Sequence, residues 1–219
     1  RITELEWANY AATLPSADIT PGLDVLLRED VVLTWSTAFP TPDSNHACLL
    51  RAAAGEADDL IDEITGFFRS RDLPVAVYLS EACIPSDLPR RLTARGFHKQ
   101  PGGESWMVLE NLAQFQLPPP PPGITVRPIS SSETLTFAEV FLGAFGLPGQ
   151  FAPVLARLLR PSVPLAGTQH YLPFAQDQPI GTCSLLRHGH YGILGSTGVL
   201  SEHRGGGGAI NLGIAALAE

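Results

Sequence analysis

The sequence predicts an α/β fold, of the α+β kind with a mixed sheet, built as two domains. Strand-like and helix-like segments alternate along both halves of the chain, which is typical of sheets covered by helices. Five consecutive prolines at 118–122 separate the halves, because proline cannot donate to a sheet and favours an extended spacer. A run of glycines at 205–208 then joins the last strand to an apolar helical segment. We therefore predict a first domain at 1–112, a linker at 113–123 and a second domain at 124–219.

Composition places the chain among globular proteins. Of its 219 residues, 44% are apolar and 16% are charged, which excludes a disordered chain. No apolar run approaches the ~20 residues of a membrane-spanning helix, and the N-terminus lacks a basic stretch followed by an apolar core. We expect a cytoplasmic protein without a membrane partner. The net charge of −8 argues against nucleic acid as a partner, because a polyanion would be repelled.

Cysteine and histidine spacing does not favour a metal site. The three cysteines, Cys48, Cys83 and Cys183, form no Cys-x-x-Cys pair and are interpreted as buried single thiols. His188 and His190 could offer two imidazoles to one metal, but no third ligand stands at a suitable spacing. A polar turn is the favoured interpretation, and no metal is expected.

The first domain shows seven elements, bounded by proline and glycine. They are, in order, helix 2–14, strand 31–36, strand 46–51, helix 56–71, strand 75–79, a short helix from an N-cap at Ser86 to Gly96, and strand 106–109. The long helix is amphipathic, and its acids precede its terminal arginines as the helix dipole favours. We interpret these acids as a solvated face rather than a metal or amine site: Asp58, Asp59, Asp62 and Glu63.

For the second domain, the sequence predicts a strand, two helices, three strands, the glycine loop and a final helix. Their ranges are strand 124–129, helix 130–145, helix 151–160, strands 170–175 and 180–187 around a turn at 176–179, strand 193–200, and the apolar segment after Gly208. Ser130 and Glu133 have the spacing of a capping box at the start of the first helix.

The glycine loop has the chemistry of an anion site. Glycines let backbone N–H groups approach a ligand, and a following helix directs its positive end at the same point. Arg204, at the mouth of the loop, can add a charge-assisted contact to phosphate. Gly208 is followed by Ala209 and Ile210 rather than Lys and Ser or Thr, so this is not a Walker loop, and the dinucleotide pattern Gly-x-Gly-x-x-Gly fails at every register. The spacing that fits is Arg-x-x-Gly-x-Ala at 204–209.

This spacing, placed after a strand ending in Val199-Leu200, resembles motif A of the GCN5-related N-acetyltransferase (GNAT) superfamily, Gln/Arg-x-x-Gly-x-Gly/Ala. The order of elements and the hairpin at 171–182 are also similar to the opening part of a GNAT domain. This resemblance covers 124–219. The elements at 46–110 are similar to the later part of the same fold without motif A, as in tandem GNAT proteins with a degenerate N-terminal domain.

The resemblance implies an N-acetyltransferase that moves an acetyl group from acetyl-CoA, its co-substrate, to a primary amine of an acceptor. Backbone groups of Thr197, Val199 and Leu200 would hold the pantetheine arm. The loop around the pyrophosphate would comprise Arg204, Gly205, Gly206, Gly207, Gly208 and Ala209. Glu202 and His190 are the nearest candidate bases, but surface solvation explains both, so the catalytic residues stay unassigned.

Two other functions stay open: a non-catalytic acyl-CoA-binding or regulatory module, and a generic glycine loop for another phosphate ligand. A homodimer is also left open. The sequence stops one helix after motif A, without the next strand and helix of a complete GNAT domain, and Gly208 stands where the family has a larger residue. We expect a second domain that is incomplete at its C-terminus, shortened from a longer protein. The alternative is that 75–109, with Tyr78, supplies the missing elements.

Overall fold

The structure, a computed structural model, describes residues 2–103, 105, 107–111, 114, 116 and 122–205. These residues form two compact units. The first contains the described residues up to Ala17 together with Gly22–Val108, and the second contains Asp18–Pro21 and the described residues from Leu109 onward. Much of the predicted linker lies outside the described residues, so its limits remain a prediction.

The first unit is a mixed four-stranded sheet with helices. Its helices are α1 (Ile2–Ala11), α2 (Leu14–Ala17), α3 (Ala57–Arg69) and α4 (Leu88–Ala94), and its strands are β1 (Asp24–Leu27), β2 (Val32–Trp35), β3 (His46–Cys48) and β4 (Ala76–Val77). The strands lie in the order β1-β2-β3-β4; the first two pairs are antiparallel and β3 is parallel to β4. Helix α3 therefore forms the crossover between two parallel strands.

Helix α3 forms as the sequence predicts. Its apolar stripe, which includes Ile61 and Phe68, is buried in the core. Its acids lie on the solvent side as expected, and two of them also pair with α4. Arg95 bonds to Asp58 and Asp62 at 2.8 and 2.7 Å, and Arg91 bonds to Asp58 at 2.7 Å.

Three predictions for the first unit are wrong. Strand β1 was not predicted, because four half-exposed residues between turns show no clear period. Met107, Val108 and Leu109 are exposed and form no strand, so apolar composition misled the prediction for 106–109; Trp106 lies outside the described residues. The N-cap of α4 is Asp87 rather than Ser86.

The second unit is an antiparallel sheet with two helices. It contains β5 (Ile124–Pro128), α5 (Thr134–Phe145), α6 (Ala152–Leu159), β6 (Thr168–Ala175), β7 (Gln178–Pro179), β8 (Gly181–His188) and β9 (Tyr191–Val199). The strand order is β5-β6-β8-β9, with β7 paired to β6. Phe137 and Val140 of α5 pack with Leu172 of β6 in the core.

Local signals in this unit are confirmed. Glu133 accepts a bond from the Ser130 N–H at 2.9 Å and completes the capping box, on a 3-10 turn that precedes α5. Gln176 and Asp177 both have positive φ, as a tight hairpin turn requires. Gly189 and His190 form the predicted turn between β8 and β9, and His188 is the last residue of β8. Cys48 and Cys183 are buried free thiols as predicted, whereas Cys83 is half-buried.

Candidate functional site

Strand β9 lies at an edge of the second unit's sheet. Strand β9 pairs with β8 on one side and is the last strand of the sheet in the part of the chain that the structure describes. An edge strand presents N–H and C=O groups that can pair with another extended chain or an amide-bearing ligand. The candidate site is therefore an edge followed directly by the predicted anion loop.

A β-bulge changes the direction of this edge just before it ends. Thr182 pairs with Gly198 and Ser184 with Gly195, so β9 advances three residues where β8 advances two. Ser196 has φ of +52°, and its carbonyl accepts the Thr182 hydroxyl at 2.7 Å. The bulge increases the local twist and fixes which residues face the edge.

Backbone alternation assigns the edge-facing groups to Thr197 and Val199. The Leu200 N–H donates to the Ile180 carbonyl at 2.9 Å, and the Leu200 carbonyl accepts the His203 N–H at 2.9 Å. Successive residues of a strand direct their polar groups to opposite sides, so those of Val199 and Thr197 point away from β8. Of the three strand residues predicted to hold pantetheine, Leu200 has both its backbone N–H and its carbonyl bonded within the protein.

Helix α5 approaches this strand end very closely, because glycine occupies both surfaces. A Cβ on Gly198 would lie 2.9 Å from Cε2 of Phe145 and 3.0 Å from Cβ of Ala144. A Cβ on Gly143 would lie 2.9 Å from Cδ2 of Leu200. The C-terminal turn of α5 is thereby held against the residues that lead into the loop.

Arg204 connects the strand end to the helix. Its Nε donates to the Val199 carbonyl at 3.1 Å, and its Nη2 donates to the Ala144 carbonyl at 2.8 Å. Carbonyls at a helix C-terminus lack helical partners and carry partial negative charge, which a guanidinium satisfies. Arg204, which was predicted to bind phosphate, therefore donates to two neutral carbonyls in this structure.

The rest of the predicted loop is described only at its start. Gly205 has φ of +80°, a conformation in which a side chain is strained, and nothing lies within 4 Å of a Cβ built on it. Gly206, Gly207, Gly208 and Ala209 lie outside the described residues.

Neither of the two candidate bases, Glu202 and His190, is well suited to accept a proton at this site. Glu202 is exposed, and bonds from its own backbone N–H and from the Ser201 hydroxyl (3.0 Å) lower its pKa. A lowered pKa makes a carboxylate a weaker base. His190 lies at the opposite end of β9, about 30 Å from Val199 at ~3.3 Å per residue of strand.

A buried polar cluster in the second unit was not anticipated. His170 bonds to Ser162 through Nε2 and to Ser184 through Nδ1, each at 2.8 Å. Because the Ser162 hydroxyl donates to the Leu159 carbonyl at 2.7 Å, it accepts from Nε2–H, and Nδ1 accepts the Ser184 hydroxyl. Burial lowers the pKa of His170 to about 4, so the ring is neutral. The cross-strand pairing of His170 with Ser184, which exists only in the folded sheet, brings these groups together.

The first unit has different chemistry at the start of its crossover helix. A cavity of about 320 Å³ lies beside the N-terminus of α3. Its lining comprises Asp30, Arg51, Ala52, Ala53, Glu56, Asp59, Leu60 and Glu63. The four lining carboxylates outnumber the two nearby cations, which are Arg51 in the lining and Arg28, paired with Asp30 and Glu63. This excess of negative charge makes the cavity unfavourable for phosphate. Across the described residues, no cluster of three or more potential ligands could hold a metal, and no helix is long and apolar enough to cross a membrane.

Comparisons with known proteins identify the fold. No protein-family model matches the sequence, and no curated protein is significantly similar. A GCN5-related N-acetyltransferase from Kribbella flavida superposes with a TM-score of 0.63 at 14% identity, covering 95% of this chain and 78% of that one. A tandem GNAT protein from the clavulanic acid biosynthesis pathway gives 0.54 at 16% identity, covering 96% and 74%. A GCN5-related N-acetyltransferase from Sphaerobacter thermophilus gives 0.52 at 19% identity, covering 90% and 68%. The chain therefore has the mixed α/β fold of these acetyltransferases.

Proposed function

We propose that this protein is an acetyl-CoA-dependent N-acyltransferase that acetylates a primary amine. The observation that carries the proposal is the bulged end of the edge strand β9, which leads directly into Arg204, Gly205 and the rest of an Arg-x-x-Gly-x-Ala loop. The fold shared with GNAT acetyltransferases supports it.

The residues present suit an extended ligand that has amides at one end and phosphate at the other. Edge-facing groups of Thr197 and Val199 can pair with amides as an added strand does. Gly205 allows the positive φ at the start of the loop, and Arg204 can supply a cationic fork to phosphate. Acetyl-CoA has this distribution of groups.

Acetyl-CoA supplies an acyl thioester, from which an amine takes the acyl group while the C–S bond breaks and the CoA thiol is released. The chain's own contribution begins with the edge-facing N–H of Val199, which can donate to the thioester oxygen where negative charge develops. The strand edge also holds the reacting carbon in a fixed position, which lowers the entropic part of the barrier.

We further propose a tandem arrangement in which the first unit is a degenerate GNAT-like domain without a CoA site. Its β3-α3-β4 crossover lacks a glycine-rich loop, and the acidic cavity beside α3 repels phosphate. Its role is then structural or substrate-shaping.

A non-catalytic acyl-CoA-binding module is the second candidate. The exposure of Glu202 and its lowered pKa favour it, since the nearest carboxylate is poorly suited to accept the amine proton. Release of free thiol from acetyl-CoA separates the two functions: an acyltransferase shows release that depends on added amine, and a binding module does not.

A thermal-shift comparison of acetyl-CoA, CoA, ATP and NAD tests the proposed ligand. At about 100 times its dissociation constant, a ligand should stabilise the folded chain by roughly 2.7 kcal/mol. We expect this stabilisation with acetyl-CoA and with CoA but not with NAD. Gly207→Asp should abolish the effect, because a carboxylate would fill and repel the pyrophosphate position.

Gly149→Asp is the matched control, since it adds the same charge in the second unit where nothing lies within 4 Å of a Cβ. It should leave the acetyl-CoA shift unchanged. Equal stabilisation of Gly207→Asp and the parent protein would remove this loop from the proposed site.

A further inference from the structure

Arg204 occupies the strand edge that the proposed ligand needs. Its Nε lies 3.1 Å from the Val199 carbonyl, and the same guanidinium reaches the Ala144 carbonyl of α5. Because both bonds come from one rigid planar group, the guanidinium lies beside the edge between Val199 and the end of the helix. An amide that paired with the Val199 carbonyl would compete directly with Nε for this space.

The contact is suited to being exchanged rather than to being permanent. Arg204 is exposed to solvent, so water competes for its donors. Both acceptors are neutral carbonyls, whereas a phosphate offers a charged, bidentate partner that binds guanidinium more strongly. A ligand that carries phosphate can therefore draw Arg204 away from Val199, and a ligand without phosphate cannot.

We propose that Arg204 determines specificity for phosphate-bearing acyl thioesters by covering the Val199 edge until a phosphate draws it away. The proposal rests on the proposed function, because it concerns the same site. It adds a discrimination that phosphate binding alone does not provide: the same arginine favours acyl-CoA and disfavours the thioester of bare pantetheine.

Opposite effects of one substitution on two ligands test this inference. Affinities of the full chain for acetyl-CoA and for S-acetylpantetheine are measured by ligand-observed NMR in the parent protein and in Arg204→Ala. We expect Arg204→Ala to strengthen S-acetylpantetheine about tenfold, which corresponds to the ~1.4 kcal/mol of the Arg204 bond to the Val199 carbonyl. Acetyl-CoA gains the same amount from the uncovered edge but loses a bidentate phosphate contact about twice as strong, so its affinity should fall about tenfold in total. Arg187→Ala, an exposed arginine of β8 that pairs with Gly192, is the control and should change neither.

Arg204→Lys is a second variant that tests the inference if Arg204→Ala does not fold. Lysine keeps the charge but lacks the planar fork that reaches both carbonyls, so it should retain most acetyl-CoA affinity while still admitting S-acetylpantetheine more readily. If both ligands weaken together in both variants, or if S-acetylpantetheine is unaffected, the inference is wrong while acetyl-CoA binding by the parent upholds the proposed function. If the parent binds neither ligand, the proposed function fails and the inference with it.

Discussion

Gly198→Ala should destabilise the second unit and weaken acetyl-CoA binding together. The new Cβ would stand 2.9 Å from the Phe145 ring and 3.0 Å from the Ala144 Cβ, both well inside ordinary contact distance. Ala144 is held by helix backbone, so relief requires α5 to move away from β9. Overpacking of this kind costs about 1–3 kcal/mol. It also displaces the Ala144 carbonyl that Arg204 holds.

Gly195→Ala is the matched control on the same strand. A Cβ there meets nothing within 4 Å. The free energy of unfolding of this variant should therefore lie within about 0.5 kcal/mol of the parent's value. The assay is urea denaturation followed by circular dichroism, with acetyl-CoA affinity measured in parallel. Equal midpoints for the two variants would refute the claim that glycine at 198 is required by the close approach of α5.

Two further outcomes follow from the charged and titratable groups. Burial lowers the pKa of His170 from 6.5 to about 4, so the unfolded chain binds the proton more readily, and stability should fall as pH drops from about 6.5 to about 4. The full loss in the free energy of unfolding is about 3 kcal/mol. His170→Asn should flatten the plot of urea midpoint against pH over this range. An unchanged plot would show that His170 is not the responsible group. Arg95→Ala should lower the melting temperature of the first unit by removing bonds to Asp58 and Asp62, and the deficit should shrink in 1 M salt because exposed pairs are screened. A deficit independent of salt would indicate lost packing of the arginine stem instead.

Strong local signals made most of the fold predictable. The apolar stripe of α3 and the capping box at Ser130 and Glu133 each specify structure through neighbours a few residues away, and the structure confirms both. The exposed residues of β1 carry no such pattern, and their strand forms only because β2 pairs with them. The apolar residues at 107–109 show the reverse error, in which composition indicated a strand that tertiary pairing does not supply.

The geometry of the candidate site was not predictable from the sequence. Motif spacing selected Arg204 and the strand before it as candidates, and the structure places the Arg204 guanidinium against the Val199 carbonyl. The bulge at Ser196 and the bond from Arg204 to the Ala144 carbonyl depend on contacts across the sheet and between distant elements. One sequence carries no direct record of such contacts. The paired glycines at 143 and 198 are a retrospective hint, because each allows a close approach that only the folded unit reveals.

Hydrogen exchange of the full chain with and without acetyl-CoA tests whether the β9 edge binds the ligand, because it locates the ligand on the backbone. We expect slower exchange in peptides spanning 195–205, where the edge-facing amides of Thr197 and Val199 would pair with the ligand. Peptides spanning 51–63, at the acidic cavity of the first unit, should exchange at the same rate in both samples. Protection confined to 51–63, or no protection of 195–205 at saturating acetyl-CoA, would contradict the assignment of the β9 edge as the acyl-CoA site.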